Sequence, residues 1–161
     1  MMPGIEKELV YCLDASALID LHKAKLSKKL TIWASNGCIM VPEGVYRELR
    51  RKSDKLKKLL DKWQSQYSVI IQLNDVDKNQ LSYIEQTYGR GFSIGAIIYP
   101  GFWKSASGHK AADGQVVALA KTRKWVVVSG DKSVRGACAK ENIECISWED
   151  FARRLGFSKL L

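Results

Sequence analysis

Four acidic residues stand in apolar surroundings at positions where they could share one site. Asp14 ends the run LVYCLD, and Asp131 directly follows WVVVSG. Asp113 lies in the first turns of the helical pattern GHKAADGQVVALAKTRK, and Glu48 lies six residues past Pro42. Clustered carboxylates raise one another's pKa unless a cation neutralises them, so such a group implies a bound ion. Oxygen-only ligands favour Mg²⁺ or Mn²⁺ over zinc.

The segments that carry these acids alternate between strand and helix, as in parallel α/β proteins. Strands are predicted at LVYCLD, CIMV, YSVIIQL, WVVVSGD and IECI, with helical patterns between them. Ligands of an open parallel sheet bind at the carboxyl ends of its strands, where helix N-termini also point. Glu48 would lie roughly 9 Å along its helix, close enough to line that crevice. All four acids are therefore expected at one rim of the sheet.

Each acid also has a purely structural interpretation. Asp14 suits a helix cap and Asp131 a turn. Asp113 suits a partner of the helix dipole, and Glu48 suits an ion pair with a basic residue later in its own helix. The convergence of four acids on one rim favours the metal site over these separate interpretations.

The charge balance points to a polyanionic partner. Lys and Arg number 26 against 17 Asp and Glu, which gives a formal net charge of +9 and a pI near 9.4. Much of the excess lies in YRELRRKSDKLKKLLDKW, where basic residues alternate with leucines at helical spacing; a solvated helix face is the alternative. Basic surface attracts nucleic acid, and a metal ion would let a phosphodiester enter an acidic pocket. This combination predicts a nuclease.

Four segments carry a family resemblance. LVYCLDASALID, VPEGVYREL, AADGQVVALA and VVVSGDKSVR, in this order, resemble the acidic signatures of PIN domains, particularly the small prokaryotic ribonucleases that include the VapC toxins. The likeness covers nearly the whole chain. It implies an α/β, PIN-like three-layer sandwich with a central, mostly parallel sheet of four to five strands, and residues 1–161 as a single nuclease domain.

The resemblance also implies one set of catalytic and metal-binding residues: Asp14, Glu48, Asp113 and Asp131. Ser16 matches the small polar residue two after the first acid, which orients that carboxylate. Ser129 matches the Thr or Ser two before the last acid, and both serines are expected to be orienting residues. The implied cofactor is Mg²⁺ or Mn²⁺. This chain departs from the pattern after its last acid, where Lys132, Ser133 and Arg135 replace a further acid found in some members.

The function implied is a metal-dependent endoribonuclease, the toxin of a type II toxin–antitoxin pair. Its partners would be RNA and a small antitoxin protein, with a homodimer also considered. The predicted RNA contacts are Arg50, Arg51, Lys55 and Lys110. The alternatives are a catalytically inactive PIN-like RNA-binding or interaction module and a housekeeping RNA-processing nuclease.

Location and cysteine chemistry give simpler expectations. Glu6, Lys7 and Glu8 stand where a signal peptide would be apolar, and no window resembles a membrane span, so a cytoplasmic protein without membrane contact is expected. The four cysteines lie among apolar neighbours without zinc-site spacing: Cys12, Cys38, Cys138 and Cys145. They are expected to be reduced and buried.

The segment RGFSIGAIIYPGFWKSASGH follows no clear period. A loop of this length is often functional, mobile or in contact with a partner. The alternative is an irregular packed segment that contributes Ile97, Ile98, Phe102 and Trp103 to the core. The sequence leaves both interpretations open.

Overall fold

The computed structural model describes residues 9–103 and 112–156, which contain seven strands and eight helices. The strands are β1 (Tyr11–Leu13), β2 (Ile39–Pro42), β3 (Ile70–Ile71), β4 (Phe92–Ile94), β5 (Ile97–Tyr99), β6 (Val126–Val128) and β7 (Cys145–Ile146). The helices are α1 (Ala15–Lys23), α2 (Ser27–Ser35), α3 (Glu43–Lys52), α4 (Asp54–Tyr67), α5 (Asp75–Tyr88), α6 (Asp113–Arg123), α7 (Lys132–Lys140) and α8 (Trp148–Arg154).

Five parallel strands form the central sheet in the order β3-β2-β1-β6-β7. Every residue of β1 and β6 is buried, which is why these strands read as uninterrupted apolar runs. Such runs occur where helices cover both faces of a parallel sheet. The predicted α/β sandwich with four to five mostly parallel strands is therefore confirmed.

Large apolar side chains fix the helices onto the sheet. The largest fully buried ones include Trp63, Tyr88, Phe102 and Phe151. The Trp63 indole N–H also donates to the Thr31 hydroxyl at 3.0 Å, which satisfies its polar atom and ties α4 to α2.

Side-chain hydrogen bonds cap the starts of α4 and α5. Ser53 accepts from the Leu56 amide at 3.2 Å and opens α4. Asn74 and Asp77 form a reciprocal capping box at the start of α5. The third strand is much shorter than the predicted YSVIIQL, because β3 is an edge strand whose partner β2 ends at Pro42, a residue with no N–H to extend the ladder.

A second, two-stranded sheet occupies the segment without a clear period. Strands β4 and β5 pair antiparallel around Gly95 and Ala96, and Gly95 has a φ of +58°, which glycine adopts without strain. Ile97 and Ile98 are exposed, whereas Phe102 is buried and Trp103 is half-buried. The expectation of a single packed apolar group is thus met by only part of the segment.

The cysteines are free thiols, as expected, and three of the four are buried; Cys145 is half-buried. No helix in the described part of the chain is both long and apolar enough to cross a membrane.

Candidate functional site

The sheet topology brings Asp14 and Asp131 to the same edge. Strands β1 and β6 are parallel neighbours at the centre of the sheet, with Leu13 paired to Val128. Asp14 follows Leu13 directly, and Asp131 lies three residues after Val128. Both acids therefore lie at the carboxyl edge, where open parallel sheets bind their ligands.

Asp14 is the most enclosed of these acids, with only 2% of its surface exposed. One carboxylate oxygen accepts from the Ala17 amide at 2.8 Å and from the Ser16 hydroxyl at 2.9 Å. The other oxygen accepts from the Ser129 hydroxyl. Asp14 caps α1 in this way, and the two serines expected to orient it both donate to it.

Burial raises the pKa of the Asp14 carboxyl above its ordinary value, because water can no longer solvate the charged form. Hydrogen bonds from Ser129, Ala17 and Ser16 act in the opposite direction, and the negative charge of Asp131 adds to the increase. The pKa remains raised. A cation beside Asp14 would favour its ionised form and offset the repulsion from Asp131.

Ser129 links the two acids. Its hydroxyl donates to Asp14 and accepts from the Asp131 amide at 3.0 Å. Asp131 in turn accepts from the Val134 amide at 3.0 Å and caps α7. The loop after β6 is thereby fixed relative to the end of β1.

The helices that carry Glu48 and Asp113 approach each other at their first turns. The Gly44 amide of α3 donates to the Gln115 side-chain oxygen of α6 at 2.9 Å. A Cβ at Gly44 would lie 2.8 Å from that oxygen, so only glycine permits this approach without displacement. Asp113 is the half-buried first residue of α6.

Glu48 lies one turn after Gly44, but its carboxylate is engaged by Lys52 at 3.0 Å within the same helix. This is the ion pair named above as its structural interpretation. Within residues 9–103 and 112–156, no three His, Cys, Asp or Glu side chains lie close enough together to hold a metal ion. The structure brings Asp14 and Asp131 together at the carboxyl edge. The described side chains form no coordination cluster of three.

The carboxylate oxygens of the site fit Mg²⁺ or Mn²⁺ if fewer than three protein side chains hold the ion. Mg²⁺ usually retains several waters and binds through one or two carboxylates. Asp14 and Asp131 supply two carboxylates whose charges act on each other at the sheet edge. Water would complete the coordination shell of an ion held by this pair.

Three of the four predicted RNA-binding residues lie on two consecutive helices. Arg50, Arg51 and Lys55 are exposed on α3 and α4, whereas Lys110 lies outside the described residues. The Arg50 guanidinium stands 5.9 Å from the centre of the Tyr46 ring. Part of the basic run is neutralised within its own helices by three ion pairs: Arg47–Glu43, Lys52–Glu48 and Lys57–Asp61.

A cavity beside Asp131 was not predicted from the sequence. It lies between the β4–β5 hairpin and the start of α7, and Lys132 and Arg135 are among its lining residues. The Lys132–Arg135 segment was recognised only as a replacement for an acid. The hairpin forms one side of this cavity, and its strands have three residues each. Strands this short show no periodicity, so the sequence could not predict the hairpin.

Solved structures of low sequence identity share this fold. The crystal structure of VapBC2 from Rickettsia felis bound to a DNA fragment from their promoter has a TM-score of 0.55 and 18% identity, covering 87% of this chain and 99% of that one. FitAcB from Neisseria gonorrhoeae has a TM-score of 0.51 and 14% identity, covering 86% and 98%. A protein of Pyrobaculum aerophilum has a TM-score of 0.51 and 15% identity, covering 92% and 97%.

A search of curated proteins finds no match. The family model described as Domain of unknown function (DUF4411) matches residues 11–159, which is nearly the whole chain. The chain therefore belongs to the DUF4411 family, and its fold is that of the VapC-like PIN domains that its acidic motifs resemble.

Proposed function

We propose that this protein is a metal-dependent endoribonuclease in which residues 1–161 form a single nuclease domain. The observation that carries the proposal is the buried Asp14 carboxylate, held by Ser16 and Ser129 at the carboxyl edge of the sheet and next to the charge of Asp131. Among the described residues, the donors to Asp14 are two hydroxyls and one amide, none of them a cation. A buried carboxylate with only neutral donors is expensive for a fold, so its presence at a ligand-binding edge supports a functional role.

Asp14 and Asp131 would hold the divalent ion, and Asp113 and Glu48 would complete its surroundings directly or through water. When bound there, Mg²⁺ or Mn²⁺ would supply Lewis-acid chemistry for the phosphoryl oxygen and for activation of a water. Glu48 would have to leave its ion pair with Lys52 to take part. Ser16 and Ser129 position the Asp14 oxygens, and Ser129 keeps the Asp131 backbone in register with them.

The RNA backbone would be held by basic surface outside this pocket. Arg50, Arg51 and Lys55 are exposed and could neutralise phosphates, with Lys110 as a further proposed contact. The net charge of +9 supports a polyanionic substrate.

We further propose that the enzyme is the toxin of a type II toxin–antitoxin pair in the cytoplasm. The support is the fold shared with VapBC2 and FitAcB and the motif resemblance to VapC toxins. A small antitoxin protein is the proposed partner, and a homodimer is the proposed assembly. Co-purification with the product of a neighbouring small reading frame would test the pairing.

One observation favours a second candidate function, a PIN-like RNA-binding module without catalysis. In the described residues the acids do not form a cluster of three, and Glu48 is paired with Lys52. Such a module would bind RNA with the same salt dependence as the proposed nuclease. It would leave the RNA intact whichever metal ion is added.

The experiment that separates these functions is cleavage of labelled RNA with Mg²⁺, Mn²⁺ or EDTA. The proposed nuclease cleaves in either metal and is inactive in EDTA, and Asp113→Asn abolishes turnover while RNA still binds. Asp54→Asn is the matched control, since Asp54 is an exposed acid in the first turn of another helix. Intact RNA in all conditions, with normal RNA binding, would favour the binding module.

A further inference from the structure

A cavity of about 370 Å³ opens next to the loop that carries Asp131. Its lining residues come from the hairpin, from the loop after β6 and from the first turn and a half of α7: Ile97, Tyr99, Gly130, Lys132, Arg135 and Gly136. Its size lies at the lower end of the range for small-ligand sites. Gly130 separates Ser129 from Asp131, so the cavity borders the proposed catalytic edge.

The hairpin wall of this cavity is held in place by packing. The Tyr99 ring lies directly on Gly136, where an added Cβ would come within 2.6 Å of it. Tyr99 also stacks on Phe92 with ring centres 4.7 Å apart and planes 6° apart. Behind the hairpin, the Gly101 amide donates to the buried Ser133 hydroxyl of α7 at 2.9 Å. The wall is therefore a built surface and not a free loop.

The cavity combines positive charge with an apolar side. Lys132 and Arg135 are both exposed, and none of the described residues that line the cavity is acidic. The Lys132 ammonium stands 5.4 Å from the centre of the Tyr99 ring, and an Arg135 nitrogen donates to the Ser129 carbonyl at 3.4 Å. Ile97, which is 52% exposed, supplies the apolar side.

We propose that this cavity is a subsite for one nucleotide of single-stranded RNA adjacent to the phosphate that is cleaved. Lys132 and Arg135 bind the phosphate of that nucleotide, and Ile97 and the Tyr99 edge contact its sugar or base. The inference rests on the proposed function, because the cavity lies next to the Asp14–Asp131 edge at which cleavage is proposed. An acidic protein segment could use the same charges, but the continuity with that edge favours the substrate.

Charge reversal within one helix gives the direct test. Lys132→Glu places an acid in the first turn of α7, where the helix dipole tolerates it, and Lys140→Glu makes the same change at the exposed far end of that helix. Affinity for a fluorescein-labelled single-stranded oligoribonucleotide is measured in EDTA, so that no cleavage occurs. The expected result is an affinity at least about tenfold lower for Lys132→Glu than for Lys140→Glu, the size expected for a lost charged phosphate contact.

Photocrosslinking provides a second readout that does not depend on a variant. An oligoribonucleotide containing 4-thiouridine should crosslink to the peptide that contains Ile97 and Tyr99. Equal RNA affinities for the two charge reversals, or crosslinks that avoid this peptide, would overturn the inference. So would a polyglutamate peptide that binds in a Lys132-dependent way while RNA affinity is independent of Lys132.

The failure of this inference can be distinguished from failure of the proposed function. Lys132-dependent RNA affinity in a protein that never cleaves RNA retains the subsite and contradicts the nuclease. Metal-dependent cleavage with equal affinities for Lys132→Glu and Lys140→Glu retains the nuclease and removes the subsite.

Discussion

At the residue scale, Asp14 combines strong burial with three hydrogen-bond donors. Three groups from the same chain donate to its carboxylate: Ser16, Ala17 and Ser129. These bonds orient both oxygens, yet burial still keeps the pKa of Asp14 above its ordinary value. A fold that only needed a cap for α1 could use a half-buried serine, because Ser53 caps α4 in that way.

The link through Ser129 leads to a prediction about metal affinity. Ser129→Ala removes one donor to Asp14 and one acceptor for the Asp131 amide, so both acids lose their fixed orientation. Loss of such a supporting contact typically costs about 10- to 100-fold in metal affinity or activity. The Mn²⁺ concentration that gives half of the maximal RNA cleavage rate should increase by that factor. Ser129→Thr retains the hydroxyl and should restore the wild-type curve; an unchanged curve for Ser129→Ala would contradict the positioning role.

The burial of Asp14 also predicts the stability of the metal-free protein. Because its pKa is raised in the folded state, Asp14 stabilises the fold below its unfolded pKa, and that contribution is lost as pH rises through the folded pKa. Asp14→Asn should therefore raise the free energy of unfolding in EDTA at neutral pH, by on the order of 1 kcal/mol.

The gain from Asp14→Asn should disappear below about pH 4, where the wild-type carboxyl is also protonated. Urea unfolding across this pH range measures it, with Asp54→Asn as an exposed control that shows no such pH-dependent gain. An Asp14→Asn protein that is less stable than wild type at neutral pH would contradict the account.

At the element scale, long patterns were predictable from the sequence and short ones were not. The helical pattern GHKAADGQVVALAKTRK was expected to carry Asp113 in its first turns, and α6 is observed at Asp113–Arg123. The β4–β5 hairpin was missed, since three-residue strands are too short to show alternation and its Gly95–Ala96 turn is not a strong hairpin signal. The same limit hid the cavity, because Tyr99 and Gly136 meet only through tertiary packing.

The contact between Tyr99 and Gly136 predicts how the hairpin can be displaced. Gly136→Ala would place a methyl group within 2.6 Å of the Tyr99 ring, so the hairpin must move away from α7. We expect a loss of about 1–3 kcal/mol in the free energy of unfolding, the usual cost of overpacking. Hydrogen exchange should increase in β4 and β5. Gly130→Ala, where a Cβ meets nothing within 4 Å, is the control; equal exchange in both variants would show that this contact does not hold the hairpin.

At the scale of the whole molecule, a net charge of +9 accompanies the acids at the carboxyl edge of the sheet. The net charge of +9 and the acids at the carboxyl edge were both predictable, because charge follows from composition and the edge follows from strand order. The pairing of Glu48 with Lys52 was one of the alternatives at the outset. The sequence could not decide between a ligand and an ion pair, since both use the same side chain on the same helix face.

The basic surface gives a prediction about salt dependence. If Arg50, Arg51 and Lys55 contact the RNA backbone, replacing all three by Ala should flatten the log–log salt slope of RNA affinity by about 2, at about 0.7 per contact for single strands. The saturated cleavage rate should change little, because these contacts bind ground and transition states alike. An unchanged slope would mean that these residues form a solvated helix face and do not contact the RNA backbone.

A matched triple variant controls for the loss of net charge alone. Lys28, Lys78 and Lys140 are exposed lysines on three other helices. Their replacement by Ala removes the same charge, so it should leave the salt slope nearly unchanged if Arg50, Arg51 and Lys55 make specific phosphate contacts.

We expect the acids at the carboxyl edge to hold the divalent ion used for cleavage. Calorimetric titration of Mn²⁺ into the wild type, Asp14→Asn and Asp54→Asn tests it most directly, because it needs neither the RNA target nor a partner protein. We expect saturable Mn²⁺ binding to the wild type and to Asp54→Asn, and loss of that binding in Asp14→Asn. Equal Mn²⁺ affinity in all three proteins, or no binding to the wild type, would contradict it.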